Sequence, residues 1–348
     1  MLTLNSEIKI GDYWFYFCTN IQIKRSWEEI TDTAIIEFPN FIKNIKERYV
    51  IANIKRNDPV DIKLGYIYKD GGQIKNSLLS LFKGYVTTVK NGDVLTVKCE
   101  DNMFKLKQYT VQKYTKSGAV LGDFIKDILD YCKLDINYRV LAPETHIGNW
   151  KISNSNVVQV LYELRKFGLF ARFEGDLLII DTPYDITLTN DEKDARTKYF
   201  GFQSNIIDSN LDYRNSEDID LTVRGVSILE DNTKIELYTY IDSTGRIITT
   251  EAKREAEKGN QVTWTTYNQT KAQLQKTLEK KIKELNYSGY YGSFKTFGIP
   301  VVYPGYFIYL IDKKYPERNK DARYVVKSVG IDFGDNGYRQ NIKIGMRA

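Results

Sequence analysis

Two stretches near opposite ends of this chain run through the same series of strands and turns. The first reads Pro59-Val60-Asp61-Ile62-Lys63-Leu64, an insertion, Tyr85-Val86-Thr87-Thr88-Val89, the pair Asn91-Gly92, then Leu95-Thr96-Val97-Lys98-Cys99. The second reads Pro304-Gly305-Tyr306-Phe307-Ile308-Tyr309-Leu310, an insertion, Tyr324 to Val329, Asn336-Gly337, then Gln340 to Ile344. In both, a strand led by Pro is followed by a variable loop and a hairpin. Val60, Ile62 and Leu64 fall on one face at the two-residue period of a half-buried strand. Asn-Gly is a hairpin turn pair because both residues tolerate positive φ. Repetition of this kind limits the fold more than any other feature, since it asks for one β unit built twice.

The sequence around these stretches supports that reading. Leu2, Leu4, Ile8 and Ile10 lead into Gly11-Asp12, and further alternating runs lie at Tyr13 to Phe17, Ile21 to Ile23 and Thr33 to Phe38. Five or more strands within about 100 residues predict a small barrel or sandwich. After a Lys/Asn-rich loop and the first repeat, the period changes. Leu121, Phe124, Ile125, Ile128, Leu129 and Cys132 have helical spacing. A second helix is expected from an N-cap at Ser153 or Ser155, with Val157, Val158, Leu161 and Leu164 as its buried stripe and Gly168 as its end. A hairpin, Leu169 to Phe173 with Leu177 to Ile180, completes a small α+β module. Strands return from about residue 200, interrupted by one helix with Leu274, Leu278, Ile282 and Leu285 on one stripe, expected to lie on the outside of the second β unit.

Composition excludes several functions. The 348 residues include 26 Tyr, which bury ring area while the hydroxyl keeps a partner, and so suit strands and interfaces. The 50 basic and 45 acidic residues give a net charge of +5, too mild to signal nucleic-acid binding and best read as a mixed solvated surface. Cys18, Cys99 and Cys132 are odd in number and widely spaced, which fits reduced thiols and neither a disulfide framework nor a zinc site. The N-terminal segment lacks the pattern of a signal peptide, and no apolar run is long enough for a membrane span.

No catalytic constellation stands out. The single histidine, His146, sits in a loop-like stretch, and no serine lies in a GxSxG context. The pairs Glu28-Glu29, Glu100-Asp101, Asp191-Glu192 and Glu217-Asp218 are adjacent in sequence, and on a strand adjacent side chains point to opposite faces. A glycosidase would need two carboxyl groups facing each other across a cleft. Asp70-Gly71-Gly72 lacks the Lys-Ser/Thr of a phosphate loop and reads as a loop tip. Tyr109 to Tyr114 mixes aromatic and basic residues and reads as a strand leaving the first β unit. No cofactor or metal is expected.

Asp58-Pro59-Val60-Asp61-Ile62-Lys63-Leu64-Gly65-Tyr66 with Leu81-Phe82-Lys83-Gly84-Tyr85-Val86-Thr87 resembles the first barrel of phage tail baseplate hub proteins, the late control type without a fused spike. Glu100 to Lys107 resembles the segment that follows there, and Gly148-Asn149-Trp150-Lys151-Ile152-Ser153-Asn154 the middle module. Tyr315-Pro316-Glu317-Arg318-Asn319 and Phe333 to Gln340, with Gly337 and Tyr338, resemble the closing hairpin. The positions matching the family pattern are Pro59, Gly65, Gly84, Tyr85, Trp150, Pro304, Gly305, Arg318, Gly337 and Tyr338.

The resemblance implies a mainly β fold with α+β insertions. Residues 1–111 would form a first tube-like β-barrel, 112–184 a small α+β module, and 185–348 a second tube-like barrel with an outer helix near 270–286. It implies a homotrimer whose six barrels form a pseudo-sixfold ring between a hexameric tail tube and a threefold spike. The partners would be the tail tube protein, a separate spike protein, other baseplate proteins and the tape measure protein. The setting would be a virion tail baseplate or a bacterial injection particle. Because the chain stops at Ala348, no fused spike or lytic domain is expected. Asp61, Lys63, Thr87 and Lys98 would belong to a polar or acidic lumen lining. The alternative is a tail-tip cell-wall hydrolase or carbohydrate-binding protein with a carboxylate cleft.

Overall fold

A computed structural model of the chain describes residues 2–39, 53–71, 73–141, 143–181, 189–229, 233–255, 260–319 and 322–347. The first β unit contains β1 (Leu2–Ile10), β2 (Tyr13–Phe15), β3 (Asn20–Ser26), β4 (Thr33–Pro39), β5 (Pro59–Asp70), β6 (Gln73–Asn76), β7 (Leu79–Lys90) and β8 (Val94–Glu100). Their burial alternates as the sequence predicts: Ile21, Ile23, Ala34, Ile36, Val60, Ile62, Val97 and Cys99 all face the core. Most of the Lys/Asn-rich loop lies outside the described residues.

The middle module follows. Helix α1 (Met103–Leu106) leads to β9 (Thr110–Val120), α2 (Leu121–Tyr131), β10 (Tyr138–Val140), β11 (His146–Asn156), α3 (Val157–Glu163), β12 (Phe170–Glu174) and β13 (Leu177–Asp181). Its separate core gathers Leu121, Phe124, Ile128, Trp150, Val157, Leu161 and Ile180. The N-cap of α3 is Asn156, not Ser153 or Ser155. Asn156 Oδ1 accepts from the Gln159 N–H and Gln159 Oε1 accepts from the Asn156 N–H, both at 2.9 Å, so a reciprocal capping box outcompetes a lone serine cap. Gly168 closes this helical stretch at φ 72°. His146 is exposed at the start of β11. The expected boundary near residue 184 lies outside the described residues.

The last part contains α4 (Asn190–Ala195), β14 (Thr197–Gly201), β15 (Ile206–Arg214), β16 (Leu221–Ile228), β17 (Lys234–Ile241), β18 (Ile247–Thr250), β19 (Asn260–Tyr267), α5 (Lys271–Leu285), β20 (Gly289–Phe297), β21 (Phe307–Ile311), β22 (Arg323–Gly334) and β23 (Gly337–Arg347). Here the structure corrects the sequence reading. Strands β16–β19 do not join the second barrel; they form their own four-stranded sheet, in the order β18-β17-β16-β19, inserted between β15 and β20. Helix α5 packs on that sheet, with Leu274, Leu278 and Ile282 against Leu221, Val223 and Leu237. Gly225 of β16 admits the helix: a Cβ there would lie 2.5 Å from a Leu278 methyl.

With the insertion set aside, the two β units have one strand order. The first runs β3-β4-β8-β7-β5-β1 and the second β15-β20-β23-β22-β21-β14. The first five strands correspond and are antiparallel throughout. The sixth differs, since β1 lies antiparallel to β5 whereas β14 lies parallel to β21. The fold is mainly β with α+β insertions, and the two similar tube-type units flank the module. They are one 14-stranded sheet around a shared core, joined by antiparallel pairing of β3 with β22. Among the described residues, no helix is long and apolar enough to cross a membrane.

The equivalence also corrects the alignment. Asn57 N–H donates to the Val86 carbonyl at 2.9 Å as Gly305 N–H donates to that of Val326 at 2.9 Å. Asn57 and Gly305 both have positive φ, 75° and 85°. Pro59 therefore corresponds to Phe307, and Pro304 stands in the turn before the strand. The hairpin alignment holds as read, with Cys99 matching Ile344 and Leu95 matching Gln340. Its turns differ. Gly334 pairs with Gly337 across Asp335-Asn336, whereas the first hairpin opens into a wider loop beyond Lys90 and Thr96.

Candidate functional site

The join between the units is the feature most able to carry a function. Ile21, Ile23 and Arg25 of β3 lie opposite Phe333, Ile331 and Val329 of β22. These apolar residues are buried, and β-branched and aromatic cross-strand pairs stabilise such a ladder. Arg25 breaks the apolar run on the buried face. Its guanidinium lies 4.7 Å from the Tyr303 ring centre and its Nε 3.7 Å from Asp32 Oδ2, while Nη1 is buried without a hydrogen-bond partner.

Beside Arg25 two carboxyls distant in sequence come together. Asp101 Oδ2 accepts from the Asp32 N–H at 3.1 Å and Asp101 Oδ1 from the Met103 N–H at 3.0 Å. Burial pushes the Asp32 carboxyl up to about 6, with Arg25 opposing. Burial first, then the Asp32 charge, holds Asp101 well above the usual carboxylate range. The pair borders a cleft of about 410 Å³ that Trp27, Phe82, Tyr303 and Tyr306 also line. Both Asp101 oxygens are occupied by backbone donors, so the arrangement ties the β3–β4 loop to the start of α1 and is poorly suited to flanking a glycosidic bond.

The raised carboxyls make a pH prediction. The folded chain binds protons that the unfolded chain releases between about pH 4 and 6, so this contribution is fully present below the unfolded pKa and is lost as pH rises through the folded one. Asp32 keeps 26% of its side-chain surface exposed, which limits its own share of the effect to about 1 kcal/mol. Urea midpoints are expected to be higher near pH 5.5 than near pH 7.5, and a lower midpoint at pH 5.5 would contradict the assignment.

The residues singled out by resemblance do not form one site. Gly65 and Gly84 mark close backbone approaches, where a Cβ would lie 2.4 Å from the Ser77 carbonyl oxygen and 2.0 Å from that of Glu100. Tyr85 stacks on Phe104 at 6.3 Å, with Lys105 Nζ 4.2 Å from its ring. Pro59 opens β5 on the surface. Trp150 sits in the module core, 4.3 Å from Phe124, and its Nε1 donates to the Ile147 carbonyl at 3.1 Å. Pro304 precedes Gly305 in the turn that enters β21. Arg318 lies between Tyr213 and Tyr315, at 4.4 and 4.1 Å. Gly337 opens β23 at φ 88°. Tyr338 is buried against Tyr66 at 5.5 Å, and Tyr66 Oη donates to its carbonyl at 3.3 Å. Sequence reasoning named Asp101 only beside its neighbour Glu100, and it missed Arg25 and Asp32. The arginine following Ile21 and Ile23 on their face was the one available signal.

No family model and no curated protein sequence matches the chain. Solved structures do. The tail protein from Neisseria meningitidis MC58 is similar with a TM-score of 0.61 at 12% identity, over 98% of this chain and 96% of that one. The 43 kDa tail protein of prophage MuSo2 from Shewanella oneidensis gives 0.57 at 14% identity, over 98% and 97%. An E. coli component of the type VI secretion system, itself described as structurally similar to T4 bacteriophage tail proteins, gives 0.53 at 8% identity, over 100% and 77%. Agreement at such low identity speaks for the fold, and along nearly its entire length this chain has the fold of the two tail proteins.

Proposed function

We propose that the chain is a non-catalytic structural subunit of a phage tail baseplate or a related injection machine. Three copies form a hub ring in which six similar β units meet a hexameric tail tube on one side and a threefold spike on the other. The observation that carries this reading is the repeated strand order within one chain, its two units joined edge to edge. Two quasi-equivalent units per subunit in a closed threefold ring give six similar positions. The tail tube protein, a separate spike protein, other baseplate proteins and the tape measure protein are the expected partners, in a virion tail or a bacterial injection particle.

The ring reading makes the outer face of the continuous sheet its lumen. That face carries Lys24, Glu37, Lys98, Lys295, Asp332 and Lys343, opposite the buried residues of the same strands. It is of mixed sign and leans to lysine, where a polar or acidic lining is the expectation. Asp61 and Lys63, also named for the lining, are engaged by the Ser80 hydroxyl at 2.7 Å and by Glu7 at 2.5 Å.

Sedimentation equilibrium with a peptidoglycan zymogram tests the reading. A trimer without lytic activity is expected. A lytic monomer would replace the hub with a hydrolase.

A further inference from the structure

In each unit one strand runs on beyond its own neighbour. Along one edge of β22, β21 pairs from Arg323 to Val325, and Gly305 and Tyr306 close on Val326. Past a bulge at Val326/Ser328, the same edge is taken by β3, from Ser328 to Gly334. Strand β7 repeats this. Strand β5 pairs along one edge as far as Tyr85, Asn57 and Asp58 close on Val86 at 2.9 Å each, and a bulge falls at Val86/Thr88. Beyond that bulge, at Thr88–Lys90, no strand among the described residues takes the edge.

The other half of such a joint is also unused. Strand β15 is the counterpart of β3, since Leu211 pairs with Gly292 as Ile23 pairs with Ala34. Where β3 continues into β22, β15 has no second neighbour among the described residues. Its Leu211 N–H turns to its own Ser209 Oγ at 3.2 Å. An uncovered edge strand is a template for another chain.

We infer that a second copy of this chain fills the gap, with β15 of one copy antiparallel to Thr88–Lys90 of β7 in the next, in the register that β3 holds on β22. The internal joint pairs Ser26, Arg25 and Lys24 with Ser328, Val329 and Gly330. Carried across by the strand equivalences, Arg214 of a second copy stands opposite Thr88, Tyr213 opposite Val89, and Asp212 opposite Lys90. Lys90 and Asp212 are exposed and of opposite charge, which favours this register over one that sets like charges together. The contact joins two different surfaces head to tail, so it closes into a ring or extends into a filament according to the rotation it imposes. The inference rests on the ring reading and adds its joint.

Cysteine pairs in the full chain test it. Cα atoms facing each other across an antiparallel ladder are about 4.5–5.5 Å apart, within disulfide range. Lys90→Cys with Asp212→Cys should give dimer and trimer bands on a non-reducing gel after mild oxidation, and neither single substitution should. Lys90→Cys with Asp208→Cys, displaced by about 13 Å along the strand, should give at least about tenfold less. Equal cross-linking of both pairs overturns the register. A trimer in solution with no cross-link at 90/212 overturns the joint and leaves the ring reading standing. A chain that is monomeric at every concentration and does not cross-link overturns both.

Discussion

Replacing Tyr338 by alanine should cost about 3–5 kcal/mol, the range for deleting a buried aromatic ring. Tyr338 is 1% exposed and packs on Tyr66 of the first unit and on Phe333, with ring centres 5.5 and 5.7 Å away. The chain has shaped itself around the ring, since a Cβ on Gly298 would lie 2.1 Å from a Tyr338 ring carbon. The cavity left by alanine therefore opens where the two units meet. Tyr338→Phe should behave oppositely. The hydroxyl is buried without a hydrogen-bond partner, so deleting it removes an unsatisfied polar group and should be neutral or stabilising by up to about 1 kcal/mol. Urea denaturation of both variants checks the pair of expectations. A phenylalanine variant clearly weaker than the parent would show that the hydroxyl is engaged.

Gly84→Ala should be comparably damaging, at least about 3 kcal/mol, for a backbone reason. The added methyl would sit 2.0 Å from the Glu100 carbonyl oxygen and 2.9 Å from the Asp101 Cα, and neither is the movable end of a side chain. Relief requires β7 and β8 to part just where Asp101 ties the barrel to α1. Gly92, in the loop of the same hairpin, has its nearest outside atom 3.7 Å from a built Cβ, so Gly92→Ala should stay within about 0.5 kcal/mol of the parent. Equal loss of stability in the two variants would refute the steric argument.

These positions show what the sequence could reveal. Alternation in β3, β4, β5 and β8 was legible because half-buried strands carry a two-residue period, and the match of Leu95–Cys99 with Gln340–Ile344 emerges unchanged in the register. Pro304 misled because proline marks both a strand start and the turn before one; the positive φ shared by Asn57 and Gly305 sets the true alignment. Strands β16–β19 looked like barrel strands because periodicity tells which face is buried and not which sheet buries it. Asp32 and Asp101 could not be paired from sequence, since only the closed fold brings the β3–β4 loop to the end of β8. The open edges at Thr88–Lys90 and β15 are likewise invisible until the partner of every other strand is known.

The pairing of β3 with β22 also shapes how the molecule is made. Residues 20–26 leave the ribosome well before their neighbours at 328–334, which are synthesised only after the module and the inserted sheet. A nascent chain thus holds one bare strand flank until β22 emerges, and contacts this remote in sequence form slowly. Any product truncated before β22 keeps that flank uncovered and is a ready partner for another unfinished chain.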